Sequence, residues 1–226
     1  MFGRQFNGEQ FLAGLIIFVV AITIHEFMHA FTAYQLGDNT AARQGRVTLN
    51  PVAHFDPLGF LMLIILLISP IGFAWGRPVP VNPGNFRNPK RGMLLVAAAG
   101  PLSNVVQATI FALVWRFVGA NLGDQNSFPR LLVEGGVRLN ILLASFNMIP
   151  IPPLDGHKIL TGLLPDFWYP ILAPMEQYGF AILLAIVFLP GFIGIDLVFQ
   201  PLVLPLGFSI ANILGVVDVF LRQFGG

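Results

Sequence analysis

Six apolar runs set the plan of this chain, separated by short polar, proline-rich and glycine-rich connections. They fall at Phe11 to Leu36, Leu58 to Ala74, Met93 to Val118, Leu131 to Met148, about Tyr169 to Leu189, and Ile193 to Leu221. Several reach or approach the about 20 apolar residues that a hydrocarbon layer about 30 Å thick requires of a spanning helix. The pattern therefore predicts a bundle of membrane helices. The second run is broken by Ser69-Pro70-Ile71-Gly72, and the last two are punctuated by Pro and Gly. Arg77 to Pro83 alternates proline with valine, which excludes helix and suits an extended loop or edge strand.

Charge adds orientation. Arg43 and Arg46 follow the first run, and Arg77, Arg87, Lys90 and Arg91 lie between the second and third. Both clusters belong on the cytoplasmic side by the positive-inside rule. They share a side only if Leu58 to Ala74 re-enters rather than crosses, with the N-terminus then outside. A straightforward sixth crossing stays open. The N-terminal MFGRQFNGEQ lacks the apolar core and cleavage site of a signal peptide, so the first helix is expected to stay in the mature protein.

Composition narrows the chemistry. Only 10% of the 226 residues are charged, against about 25% in soluble domains, and the mean hydropathy is +0.76. A net charge of +1 offers no field to gather nucleic acid. Without cysteine, thiolate catalysis and Cys-ligated metals drop out, and any metal must be held by His and carboxylate.

One motif meets that requirement. His25-Glu26-Phe27-Met28-His29 is H-E-x-x-H, which puts two imidazoles on one helix face where both can reach one ion, with zinc expected. Glu26, beside the first ligand, can take the proton of a metal-activated water. Three ionisable groups deep in a membrane helix are costly unless they serve a wet or coordinating interior. Catalytic zinc usually takes a third protein ligand. Asp155 is the candidate, because Asn147-Met-Ile-Pro-Ile-Pro-Pro-Leu-Asp155-Gly156 follows the fourth run, its prolines fixing an extended path and Gly156 permitting a tight turn. A helix-capping role for Asp155 is the alternative.

These segments together resemble the site-2 protease family of intramembrane zinc metalloproteases. The resemblance rests on His25-Glu26-x-x-His29, on Asn147-x-x-Pro-x-Pro-x-Leu-Asp155-Gly156, and on Gly45 to Gly59, Arg77 to Pro83 and Ala99-Gly-Pro-Leu-Ser-Asn104. It covers roughly Phe11 to Leu164. It implies a Zn2+ cofactor held by His25, His29 and Asp155, with Glu26 as general base and acid. It places Asn104 and Asn147 near the substrate or the developing oxyanion. His54 and His157 are read as structural.

The fold implied is an all-α polytopic membrane protein. Five to six hydrophobic helices surround a three-helix catalytic core, with a small extended or β element near the cytoplasmic face that could pair with an unwound substrate. The whole of 1–226 forms one domain, 11–164 its catalytic core and 165–226 accessory or gating helices, with no room for a PDZ or CBS module. Substrates would be transmembrane proteins or signal-peptide remnants in a prokaryotic inner membrane, cut nearer its cytoplasmic side. Asn50, His54 and Asn82 are candidate walls of a water route. A metal transporter, or a non-catalytic relative that binds transmembrane helices, is the competing reading.

Overall fold

The computed structural model describes residues 7–68, 74–188 and 199–221. Asn7 starts the first long helix, its side-chain oxygen accepting the N–H groups of Glu9 and Gln10 at 2.9 and 3.2 Å, donors that an opening turn leaves unpaired. Helix α1 runs Gly8–Gln35. It stops where Gly37 takes φ +102°, which lets the Asp38 N–H return to the Ala33 carbonyl at 2.9 Å. A short α2, Thr40–Arg43, and a 3-10 turn, Pro51–His54, lead to α3, Pro57–Ile68.

Pro89 opens α4, Pro89–Val118, behind an Asn88 cap. Helix α5 spans Phe128–Asn147 and α6 Asp155–Leu163; α7 spans Tyr169–Phe188. A π turn, Phe199–Val203, leads into α8, Leu204–Ile213, and α9, Val217–Leu221. No strand occurs among the described residues, and the run expected to be extended, from Arg77 toward Pro83, has no strand partner there.

Among the described residues, three helical stretches are long and apolar enough to cross a membrane: Gly8–Gln35, Pro89–Asn121 and Asp166–Phe188. Helix α5 has the length but carries Arg130, Glu134 and Arg138. Its buried Glu134 pairs with Arg130 at 2.9 Å and lies 4.0 Å from Arg138. The described part of helix α3, 12 residues, is about 18 Å long, less than the thickness of a hydrocarbon layer. The ends of its run lie side by side, for Arg77 N–H bonds the His54 carbonyl at 2.9 Å, and a Cβ on Gly59 would come within 2.1 Å of the Trp75 carbonyl oxygen. The two ends of the run therefore meet, an arrangement that the re-entrant reading expects; the Ser69 to Gly72 break lies outside the described residues.

Helices α1, α4 and α5 pack on one another, and α6 packs on α4. Helix α4 turns its apolar side outward. Leu102, Val106, Ile110, Leu113 and Phe117 are exposed, while Gly100, Ser103, Asn104 and Gln107 are buried. Small and polar residues facing inward with large apolar ones outward is the arrangement of a helix whose solvent is lipid. Near the α4–α5 ends, Ala108, Ala112, Val137 and Ile141 meet Ala211, Val219 and Phe220 of α8 and α9.

At the opposite end, beyond α1, Asp38 binds the loops together. Its buried carboxylate accepts from the Thr40 N–H and hydroxyl, the Asn82 N–H at 2.8 Å and the Asn85 amide at 2.7 Å. Burial works against its charge, but these hydrogen bonds outweigh it and hold the carboxyl below its ordinary 3.8. A depressed carboxyl stabilises the fold fully above its unfolded-state pKa and ceases to do so as pH falls through the folded-state value. Asp38→Ala is therefore expected to cost about 3 kcal/mol at neutral pH. The deficit should shrink below about pH 4, read as unfolding midpoints in detergent across pH. An unaltered midpoint at pH 7 would refute the role.

Candidate metal centre

Four residues of spacing put His25 and His29 one above the other on the buried side of α1. Their Nε2 atoms lie 3.0 Å apart, and each is 3.2 Å from Asp155 Oδ2. Asp155 is the first residue of α6, yet its side chain caps nothing; Leu154 occupies the cap position. The capping alternative is thereby replaced by a carboxylate aimed across the bundle at two imidazoles. Gly156 serves close approach rather than a special turn, since a Cβ there would fall 2.3 and 2.4 Å from the Met148 and Ile149 carbonyl oxygens.

The donors fit zinc. Bonds of about 2.05 Å in a tetrahedron give donor separations of about 3.3 Å, close to the three spacings observed. All three residues are buried, and Asp155 Oδ2, itself buried, accepts no hydrogen bond, an unpaired state that is costly unless a cation satisfies it. Each imidazole also donates its far nitrogen to an oxygen: His25 Nδ1 to Asn104 Oδ1 at 2.6 Å, and His29 Nδ1 to the Val96 carbonyl at 2.7 Å. A hydrogen fixed on Nδ1 leaves the Nε2 lone pair for the ion.

Gly100 makes room for this. A Cβ at that position would lie 2.4 Å from His29 Nε2 and 2.6 Å from His25 Cε1. The backbone of α4 thus rests directly on the two rings.

Glu26 is buried beside the trio but outside it. The backbone of Gly76 runs against it, a Cβ there falling 3.4 Å from Glu26 Cγ and 3.4 Å from the His54 carbonyl. Buried Arg46 holds this strip in place by donating to the Arg77 carbonyl and, at 3.2 Å, to that of Pro78. Burial pulls the Arg46 guanidinium down from its usual value while the Glu26 charge pulls it back up.

Of the other expected residues, Asn104 is fully buried, with its Nδ2 donating to Asn140 Oδ1 at 2.9 Å. Asn147, partly buried at the end of α5, donates to the Leu143 carbonyl at 3.0 Å. His54 donates to the Thr48 carbonyl at 2.8 Å, and burial together with the Arg46 charge lowers its pKa. His157 meets Glu176 at 3.3 Å. Neither of these histidines belongs to the donor trio. Asn50 and Asn82 spend their side chains capping local turns. Gly100, Asn140 and Arg46 had no site role in the sequence reading. A lone asparagine inside the apolar run Leu139-Asn140-Ile141 was the available signal.

No family model matches the chain, and no solved structure matches it significantly. Curated relatives do. The chain is 37% identical over 184 residues to YwhC of Bacillus subtilis, named as a candidate zinc metalloprotease, covering 78% of this chain and 80% of that one. Rip2 of Mycolicibacterium smegmatis, named in the same way, is 31% identical over 188 residues, 79% of this chain and 69% of its own. Zinc metalloprotease MJ0392 of Methanocaldococcus jannaschii is 36% identical over 159 residues, 70% of this chain and 36% of its own. With YwhC and Rip2 both above 30% identity and each matched over more than two thirds of its length, the chain belongs to their zinc metalloprotease family, the site-2 protease family that its motifs resemble.

Proposed function

We propose that this protein hydrolyses peptide bonds in transmembrane segments of other membrane proteins, signal-peptide remnants among them. The observation that carries the reading is Glu26, buried against a three-donor zinc site inside an apolar helix. His25 lies about 26 Å along α1 from Gly8 and about 15 Å from Gln35. The site is thus below the surface, nearer the end whose loops carry Arg43, Arg46 and Arg77. Those loops are assigned to the cytoplasm of a prokaryotic cell by the positive-inside rule.

Zinc, when bound by His25, His29 and Asp155, supplies a lowered pKa for water and polarisation of the scissile carbonyl. The protein supplies the rest. Glu26 accepts the proton of the attacking water and passes it to the leaving amine. The Nδ1 bonds of both histidines hold the rings still during that exchange. A helical substrate hides its carbonyls in its own hydrogen bonds, so it unwinds first. The non-helical strip from Gly76 to Asn82, pinned by Arg46 beside Glu26, offers the unwound chain backbone partners in the manner of strand addition.

The test is cleavage of a membrane-spanning reporter by purified protein in liposomes. Glu26→Gln should keep its zinc and cut at least about 100-fold more slowly. Cleavage by that variant at the parent rate would eliminate the mechanism.

A further inference from the structure

We infer that Asn104 and Asn140 are positioning residues for the metal centre, forming a directional amide chain that fixes the His25 ring with its Nε2 toward the ion. The inference rests on the zinc reading above and adds residues to it. The chain begins at a group with no choice: the Gly136 carbonyl can only accept, and Asn140 Nδ2 donates to it at 2.9 Å. That bond leaves Asn140 Oδ1 facing the other way, where it receives Asn104 Nδ2 at 2.9 Å. Asn104 is then oriented with Oδ1 toward His25 Nδ1, 2.6 Å away.

Each link decides the next. An asparagine turned end for end would present N–H to N–H, so one backbone oxygen on α5 determines which nitrogen of His25 carries hydrogen on α1. Both asparagines are 0% exposed, which removes water as a substitute partner. Full burial with both amide ends engaged also separates Asn104 from the substrate-facing role its motif suggests. His29 needs no such chain, because its Nδ1 already meets a backbone carbonyl. Outer partners of this kind are worth about 10- to 100-fold in metal affinity.

The experiment measures Zn2+ affinity of detergent-purified, metal-stripped protein by competition with a chromogenic chelator, below the melting temperature of every variant. Asn104→Leu should bind zinc about 10- to 100-fold more weakly. Asn104→Asp should bind within about 3-fold of the parent, because a carboxylate still accepts from His25. The decisive comparison uses Asn140→Leu. It should weaken zinc binding in the parent background, where the Asn104 amide is then free to turn over. It should have little effect in the Asn104→Asp background, where the two carboxylate oxygens are equivalent. A merely structural role predicts lower melting temperatures with unchanged affinity, or Asn104→Asp binding zinc no better than Asn104→Leu. Either result overturns the inference, and so does an Asn140→Leu effect equal in both backgrounds. If Asn104→Leu does not fold, the Asn140 comparison decides alone. A parent protein that binds no zinc would instead bring down the metal reading itself.

Discussion

Asp155→Asn is expected to leave the purified protein without zinc and its hydrolysis at background. Two neutral imidazoles hold a divalent cation weakly. The carboxylate supplies the only negative charge in the trio, and in a buried site that charge is poorly screened. The amide also does worse than fail to bind. Its NH2 could turn toward the Nε2 atoms of His25 and His29, which lie 3.2 Å from the present Asp155 oxygen, and occupy the lone pairs meant for the ion. The loss should exceed the about 100-fold that an outer partner can cost. The fold should persist, because α6 starts without help from the Asp155 side chain. Metal analysis, helical circular dichroism and the liposome reporter separate these effects. Stoichiometric zinc in the Asp155→Asn variant would refute the ligand assignment.

Why some of this could be read from sequence and some could not follows from how each constraint is written. His25 and His29 are legible because helix geometry turns a spacing of four into adjacency. Helix limits were close for the same reason: α1, α4, α5 and α7 begin and end within a few residues of the apolar runs. Asp155 sits 126 residues beyond His29 in number, and no local rule links the two; its proline-framed loop and the family resemblance supplied the connection. The re-entrant path was undecided because hydropathy reports length and not direction. The nearness of its two ends is carried instead by contacts between residues 54 and 77 and between 59 and 75, which no local pattern in the sequence records.

Burial hides the rest from a reading of sequence. Asn140 stands within an apolar run and was absorbed into it, although an amide in such a place demands partners. Arg46 entered as a topological charge, whereas it is a buried clamp on the strip beside Glu26. The charges of α5 tell a similar story. Arg130, Glu134 and Arg138 occupy one helix face at spacings of four and largely satisfy one another, which allows an apolar environment to tolerate them. Polar residues in this bundle carry more information than the apolar majority, because lipid accepts any apolar side chain but makes each polar one find its mate.

Gly100 makes the same point by having no side chain at all, and its substitution should be nearly as damaging as loss of a ligand. A methyl at 100 would stand 2.4 Å from His29 Nε2, 2.5 Å from His29 Cε1 and 2.6 Å from His25 Cε1, so both rings must retreat or α4 must shift away from α1. Either movement separates Nε2 from Asp155 or strains the Nδ1 bonds to Val96 and Asn104, which lie on α4 itself. Displacements near 1 Å at a reacting centre cost about 100-fold. Gly100→Ala should therefore lower hydrolysis by at least that factor and weaken zinc binding with it. Gly100→Val, with two further methyl groups against the rings, should bring both to background. Overpacking of about 1–3 kcal/mol should lower the melting temperature without unfolding the protein. Gly8→Ala provides the control, since a Cβ there meets nothing within 4 Å and activity should not change. Parent-level zinc affinity in the Gly100→Ala variant would mean that the imidazoles can retreat without releasing the ion, and that α4 does not set the geometry of the centre.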